Sequence, residues 1–141
     1  MVDTERLLAL LGRVTSRLTV LDDYAGSARG DVDALLADEV RLGHLKYTFQ
    51  TAIEACIDAA QHVVAARGLG TPSSNADAFR LLERAGVLPA EVAGSLAGAV
   101  GFRNVLVHGY AEVDDRLVVD NLARVADLRR FVAAMTALLA D

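Results

Sequence analysis

Leu7, Leu11, Val14, Leu18 and Leu21 recur at alternating four- and three-residue steps. That spacing places one apolar row along one side of an α-helix. The same period returns in Leu35, Leu42, Leu45, Phe49, Ile53, Cys56, Ala60 and Val63, and again in Val118, Leu122, Val125, Val132, Met135 and Leu139. No stretch of useful length alternates as a strand does. A chain built of such rows buries them only by packing helix on helix, so the fold class expected is all-α, an antiparallel helical bundle.

The punctuation between the rows gives the expected elements. The first helix is expected from about Asp3 to Tyr24, with Gly26, Ser27 and Gly30 breaking it. Asp31 then suits the N-cap of a second helix longer than 30 residues, which Gly68, Gly70 and Pro72 end. A short helix is expected over about Asn75–Ala85, capped by Ser73, Ser74 or Asn75 and stopped by Gly86. Pro89 suits the first turn of a fourth helix, with Glu91 complementing its dipole. Its surface is made small by Gly94, Ala97, Gly98 and Gly101, which lets another helix approach closely. A last helix starts near Asp114 or Asp115.

At 141 residues, with 53% hydrophobic content, the chain is expected to form one domain, residues 1–141, with one core. Its net charge of −5 argues against a general nucleic-acid coat but leaves room for a small basic site. Cys56, the only cysteine, falls in an apolar helical row and reads as a buried structural thiol in a reducing compartment. Asp3, Glu5 and Arg6 are wrong for a signal peptide, and no apolar run approaches the ~18 residues of a membrane span. A cytoplasmic protein with no membrane partner is expected.

Polar chemistry concentrates in one stretch, Arg103-Asn104-Val105-Leu106-Val107-His108-Gly109-Tyr110. Arg103 lies seven residues after Leu96 and three before Leu106, so helical geometry puts it on the apolar face. Asn104 and His108, four apart, share the adjacent face. Arg103 and His108, five apart, diverge by roughly 140° around a regular helix. Two arrangements bring them together: the helix ends near Gly109 and His108 turns inward, or a second copy of the chain completes a shared cleft. These residue types suit RNA cleavage without a metal. Histidine takes a proton from a ribose 2′-hydroxyl or gives one to the leaving oxygen. Arginine grips phosphate through a planar fork and stabilises developing charge. Asn104 is placed to orient the histidine or the substrate, and Tyr110 to stack on a base or bond to phosphate. The competing reading pairs Arg103 with a carboxylate and leaves His108 as a helix C-cap. Glu54 and Asp58, four apart on the second helix, are the candidate carboxylates. His44 and His62 lack the partners of a metal site, and Gly68-Leu69-Gly70 is too sparse for a phosphate loop. Neither a metal nor a cofactor is expected.

The string Arg-Asn-x-x-Val-His-x-Tyr resembles the signature of HEPN-domain proteins of the HepT type, the toxins of HepT–MntA toxin–antitoxin systems. The resemblance covers most of the chain, including Glu54, Ile57 and Asp58, Phe79-Arg80-Leu81-Leu82, and the Val113-Asp114 entry to the last helix. It implies an all-α homodimer acting as an endoribonuclease on RNA such as tRNA, with an Arg-x4-His motif contributed by both subunits. By that likeness Arg103 and His108 are catalytic and Asn104 supports them. The implied partner is an MntA-like minimal nucleotidyltransferase antitoxin that attaches AMP to the motif tyrosine, here Tyr110. The alternative is a non-catalytic helical module that docks such a nucleotidyltransferase. A third reading is a purely structural dimer with Arg103 in a buried ion pair.

Overall fold

The computed structural model describes residues 2–109 and 112–140, and among these every regular element is helical. Six α-helices follow in order: α1 Thr4–Leu36, α2 Glu39–Ala66, α3 Asn75–Arg84, α4 Ala90–His108, α5 Asp115–Asp120 and α6 Val125–Ala137. α1 packs on α2 and α6, while α4 packs on α2, α3 and α6. The leucine row of α1, from Leu7 to Leu21, is buried against α2 residues such as Leu45, Phe49, Ile53 and Cys56. Phe79 of α3 and Phe131 of α6 meet edge-on at 5.5 Å and close the core from the other side. No helix among the described residues is long and apolar enough to cross a membrane.

The first helix does not stop at Tyr24. It runs through Gly26, Ser27 and Gly30, and Ser27 Oγ donates to the Asp23 carbonyl of its own helix at 3.2 Å. Glycine in a helix costs only about 1 kcal/mol relative to alanine. Leu21 before the glycines and Leu35 after them are both wholly buried, so core packing on both sides carries the helix through. The break comes at Asp31, whose backbone is non-helical (φ −157°, ψ 92°). Its Oδ1 accepts from Ala34 N at 3.1 Å.

Asp31 is therefore a cap, but of a short extension that ends at Leu36 rather than of the second long helix. Asp38 caps that helix, accepting from Arg41 N at 3.1 Å. The expected helix of more than 30 residues is thus α2, with 28, about 42 Å long. α2 ends as expected at Gly68 (φ 63°). Leu69 N donates to Val64 O at 3.0 Å, the bond that a glycine in left-handed conformation permits at a helix end.

α3 has the expected start and stop. Ser74 Oγ accepts from Asp77 N, while the Asp77 carboxylate accepts from Ser73 N. The Ser73 N–H holds the Asp77 carboxyl below its usual range. Pro89 is the N-cap of α4 rather than its first residue. Asp114 caps α5, accepting from Arg116 N at 2.9 Å, but the expected single last helix is interrupted. A 3₁₀ turn over Asn121–Arg124 separates α5 from α6, and Asn121 Nδ2 donates back to Leu117 O at 2.8 Å.

Because Asp38 alone caps the helix that scaffolds the site, Asp38→Ala is expected to lower stability by about 1 kcal/mol. Urea unfolding checks this as a lower midpoint at unchanged slope; an unmoved midpoint would remove the cap from the account.

Candidate functional site

α4 is apolar toward the core through Val92, Leu96, Val100 and Leu106. Arg103 falls on this face, as its spacing requires. Its side chain is only 20% exposed, so the guanidinium must find an anion or pay heavily for desolvation. Glu54 of α2 supplies it: Arg103 Nη2 donates to Glu54 Oε2 at 2.7 Å. Arg103 Nη1 donates to Asn104 Oδ1 at 3.1 Å, while Nε is buried without a partner. The neighbouring residue anchors the contact, since the Phe102 ring meets Phe49 of α2 edge-on at 5.3 Å. The carboxylate pairing foreseen for Arg103 is present, with Glu54 as the acid. Asn104 serves the arginine and makes no bond to His108.

Arg103 closes one side of an open cleft lined also by Glu54, Ile57, Asp58, Gln61 and Asn75. Gln61 Nε2 donates to Asn75 Oδ1 at 3.0 Å and ties α2 to the start of α3 at the cleft's rim. Asp58, expected as Glu54's neighbour, is exposed here. Gln61 was readable in principle, because it follows Asp58 by three residues on the same outer row of α2. Asn75 gave no signal beyond its fitness as a cap. Tyr47 is 57% exposed on that row and does not line the cleft.

His108 is the last residue of α4 and is exposed. The helix stays regular up to it, and Gly109 N then donates to Val105 O at 2.8 Å. A Cβ at residue 109 would stand 3.0 Å from that same oxygen, so glycine suits this tight end. His108 therefore does not turn inward: it leaves α4 roughly 140° from Arg103. No hydrogen bond joins the two side chains. Gly98, Gly101, Val105 and His108 lie in one line along the outer side of α4. An added Cβ at either glycine would meet nothing within 4 Å, and Val105 is 46% exposed. Tyr110 lies outside the described residues.

The remaining candidates have structural roles. Cys56 is wholly buried, and burial pushes its thiol far above the usual range, which suits packing and not nucleophilic attack. His44 Nδ1 stands 2.7 Å from the Tyr24 hydroxyl, and His62 Nε2 is buried without a hydrogen-bond partner. Among the described residues no three His, Cys, Asp or Glu side chains gather as a metal site would require. Lys46, the chain's only lysine, bonds Asp115 at 2.8 Å and ties α2 to α5.

Comparison with known proteins agrees with this architecture. The family described as ribonuclease HepT-like matches residues 11–135. The mRNA nuclease HepT of Shewanella oneidensis is 34% identical over 96 residues, 68% of each chain. Among solved structures, the tri-AMPylated Shewanella oneidensis HEPN toxin in complex with MNT antitoxin superposes with a TM-score of 0.83 at 25% identity, covering 93% of this chain and 96% of that one. YutE of Bacillus subtilis, a cytosolic protein of unknown function, shares the fold at a TM-score of 0.82 and 20% identity, covering 98% and 91%. This chain belongs to the HepT-like ribonuclease family.

Proposed function

We propose that this chain is the cytoplasmic toxin of a toxin–antitoxin pair, a metal-independent endoribonuclease that acts as a homodimer. In this reading Arg103 and His108 are its catalytic groups. A nucleotidyltransferase antitoxin silences it by attaching AMP to Tyr110. One observation carries the reading: the Arg103 guanidinium is held at an open cleft by Glu54 and Asn104, on the helix that ends in an exposed, uncommitted imidazole. Family membership supports the nuclease chemistry. The neighbouring toxin's AMPylation and its MNT antitoxin support the regulation.

The chemistry follows from the groups. An imidazole removes the proton of a ribose 2′-hydroxyl, and the freed oxygen attacks the adjacent phosphorus. The bond from phosphorus to the 5′-oxygen breaks, and an imidazolium returns a proton to that oxygen. A 2′,3′-cyclic phosphate is left. Negative charge builds on the phosphoryl oxygens during the displacement, and Arg103 stabilises it. Its guanidinium has five N–H donors, of which the bonds to Glu54 and Asn104 use two. Donors are thus left for phosphate while the fork stays fixed.

One chain separates its arginine from its histidine, so the working site needs two copies. The line Gly98, Gly101, Val105 and His108 gives a second copy a smooth surface on which to pack. In this reading the imidazole of one copy completes the Arg103 cleft of the other, since within one chain that cleft lies roughly 140° around α4 from His108. AMP on Tyr110, two residues from His108, adds negative charge and bulk where RNA phosphates would lie.

His108→Ala is expected to cut RNA cleavage by at least about a hundredfold, with the dimer intact by sedimentation and the wild-type enzyme indifferent to chelator. Undiminished cleavage by that variant would take His108 out of the mechanism, and loss of wild-type activity in chelator would overturn the metal-free chemistry. The Glu54–Arg103 pair also favours a structural reading, which Arg103→Ala separates. A partly exposed ion pair contributes about 1 kcal/mol or less, so the variant is expected to fold, to lose little stability and to lose cleavage. A fall of more than about 3 kcal/mol, with activity kept per folded molecule, would assign Arg103 to structure alone. Co-expression with an MntA-like nucleotidyltransferase is expected to add the mass of one AMP or more to the Tyr110 peptide, and none to the Tyr110→Phe variant. An unmodified peptide from an inhibited complex would mean silencing by docking.

A further inference from the structure

The acidic balance of the chain makes the placement of its arginines informative. Arg103, Arg129 and Arg130 each contact a carboxylate. Arg13 and Arg17 of α1, like most of the chain's arginines, make no such pair among the described residues, although two carboxylates line the same groove. They stand one turn apart on the rim of a groove between α1 and α2, with Gly12 and Ser16 beside them and Glu54 and Asp58 across from them. Neither arginine makes an ion pair or a hydrogen bond from its guanidinium among the described residues. Like charges four apart on a helix cost a few tenths of a kcal/mol, and no direct ion pair to Glu54 or Asp58 offsets that cost.

The groove is not isolated. Glu54 and Asp58 line it and also line the Arg103 cleft, so the two concavities meet across the outer row of α2. Three guanidiniums then face two carboxylates, and Glu54 is already engaged by Arg103. An added Cβ at Gly12 would meet nothing within 4 Å, so the α1 wall of the groove is open to solvent at its middle. The result is a locally cationic trough, inside a chain of net charge −5, that leads directly to the motif arginine.

We propose that Arg13 and Arg17 are substrate-binding residues that hold the phosphates of single-stranded RNA flanking the linkage at Arg103. This rests on the nuclease reading. Guanidiniums spaced by one helical turn, about 6 Å of rise, present two forks to two phosphates along a strand. They read charge and not bases, so the grip is independent of sequence and sensitive to salt.

The test uses the full chain carrying His108→Ala, which leaves RNA intact, and a short fluorescein-labelled single-stranded RNA. Dissociation constants are measured by anisotropy across a salt series, with and without Arg13→Gln/Arg17→Gln. Arg29→Gln/Arg67→Gln makes the same change of net charge away from the trough and serves as the control. The expected result is roughly tenfold weaker binding at low salt, and a salt slope reduced by about 1.4, or 0.7 for each lost phosphate contact. In the cleaving enzyme, KM is expected to rise by a similar factor with kcat nearly unchanged. Binding and slope equal to the control's would overturn the proposal. So would intact RNA binding combined with lost binding of the nucleotidyltransferase, which would give the trough to the partner. A wild-type chain that does not cleave, but whose RNA binding still depends on Arg13 and Arg17, would sink the nuclease reading and leave the phosphate track standing. A wild-type chain that neither cleaves nor binds RNA would end both.

Discussion

A permanently charged guanidinium on the buried side of α4 is the constraint around which the site is arranged. Arg103 cannot shed its proton, so the fold must bring it an anion. Glu54 does this from 49 residues away in sequence. The contact demands a defined register of α4 against α2, and the Phe49–Phe102 packing beside it holds that register with apolar surface. The pair itself adds little to stability, because both side chains keep part of their hydration. Its value lies in orientation: a flexible side chain with four rotatable bonds is reduced to one pose at the wall of a cleft. The unpartnered Nε marks this as a position where polar satisfaction in the single chain is incomplete.

The legible parts of the fold were those decided by local chemistry. Ser74, Asp114, Gly68 and Gly86 act where a side-chain oxygen or a positive φ settles a helix end within one turn. The misread parts were decided at longer range. Gly26 and Gly30 look like a break, yet their local cost is outweighed by the burial of Leu21 and Leu35 on either side. The 3₁₀ turn over Asn121–Arg124 left no signal, because the apolar period runs unbroken from Val118 to Val125 and a 3₁₀ turn shifts that period only slightly.

The site divides in the same way. Helical spacing alone sufficed to place Arg103 on the apolar face and to offer Glu54 and Asp58 as candidate carboxylates, while the choice of Glu54 came from how α2 packs against α4. The relation of Arg103 to His108 was not legible, because it depends on whether the helix remains regular to its last residue. It does, and the two side chains leave α4 in different directions. Asn75 became visible only when α3 folded back against α2, a tertiary event with no local signature, whereas Gln61 stands three residues after Asp58 on the outer row of α2.

α2 shows how one helix keeps stability and chemistry apart. Leu45, Ala52, Ile53, Cys56 and Ala59 form one side of it and are buried. Thr51, Glu54, Asp58 and Gln61 form the other and line the concavities that meet at Arg103. Cys56 lies two residues from both Glu54 and Asp58, yet it points roughly 160° away from each, because two residues advance a helix by 200°. The thiol is thereby sealed from the polar row, and the carboxylates are kept out of the core. The core side can hold its close packing without regard to the polar chemistry of the outer row. The outer row, resting on a helix pinned at Asp38 and ended at Gly68, is carried on a rigid support. This division lets an acidic, apolar-rich bundle present a cationic seam: its sign is set by a few arginines reaching in from α1 and α4, while the helix beneath them supplies position.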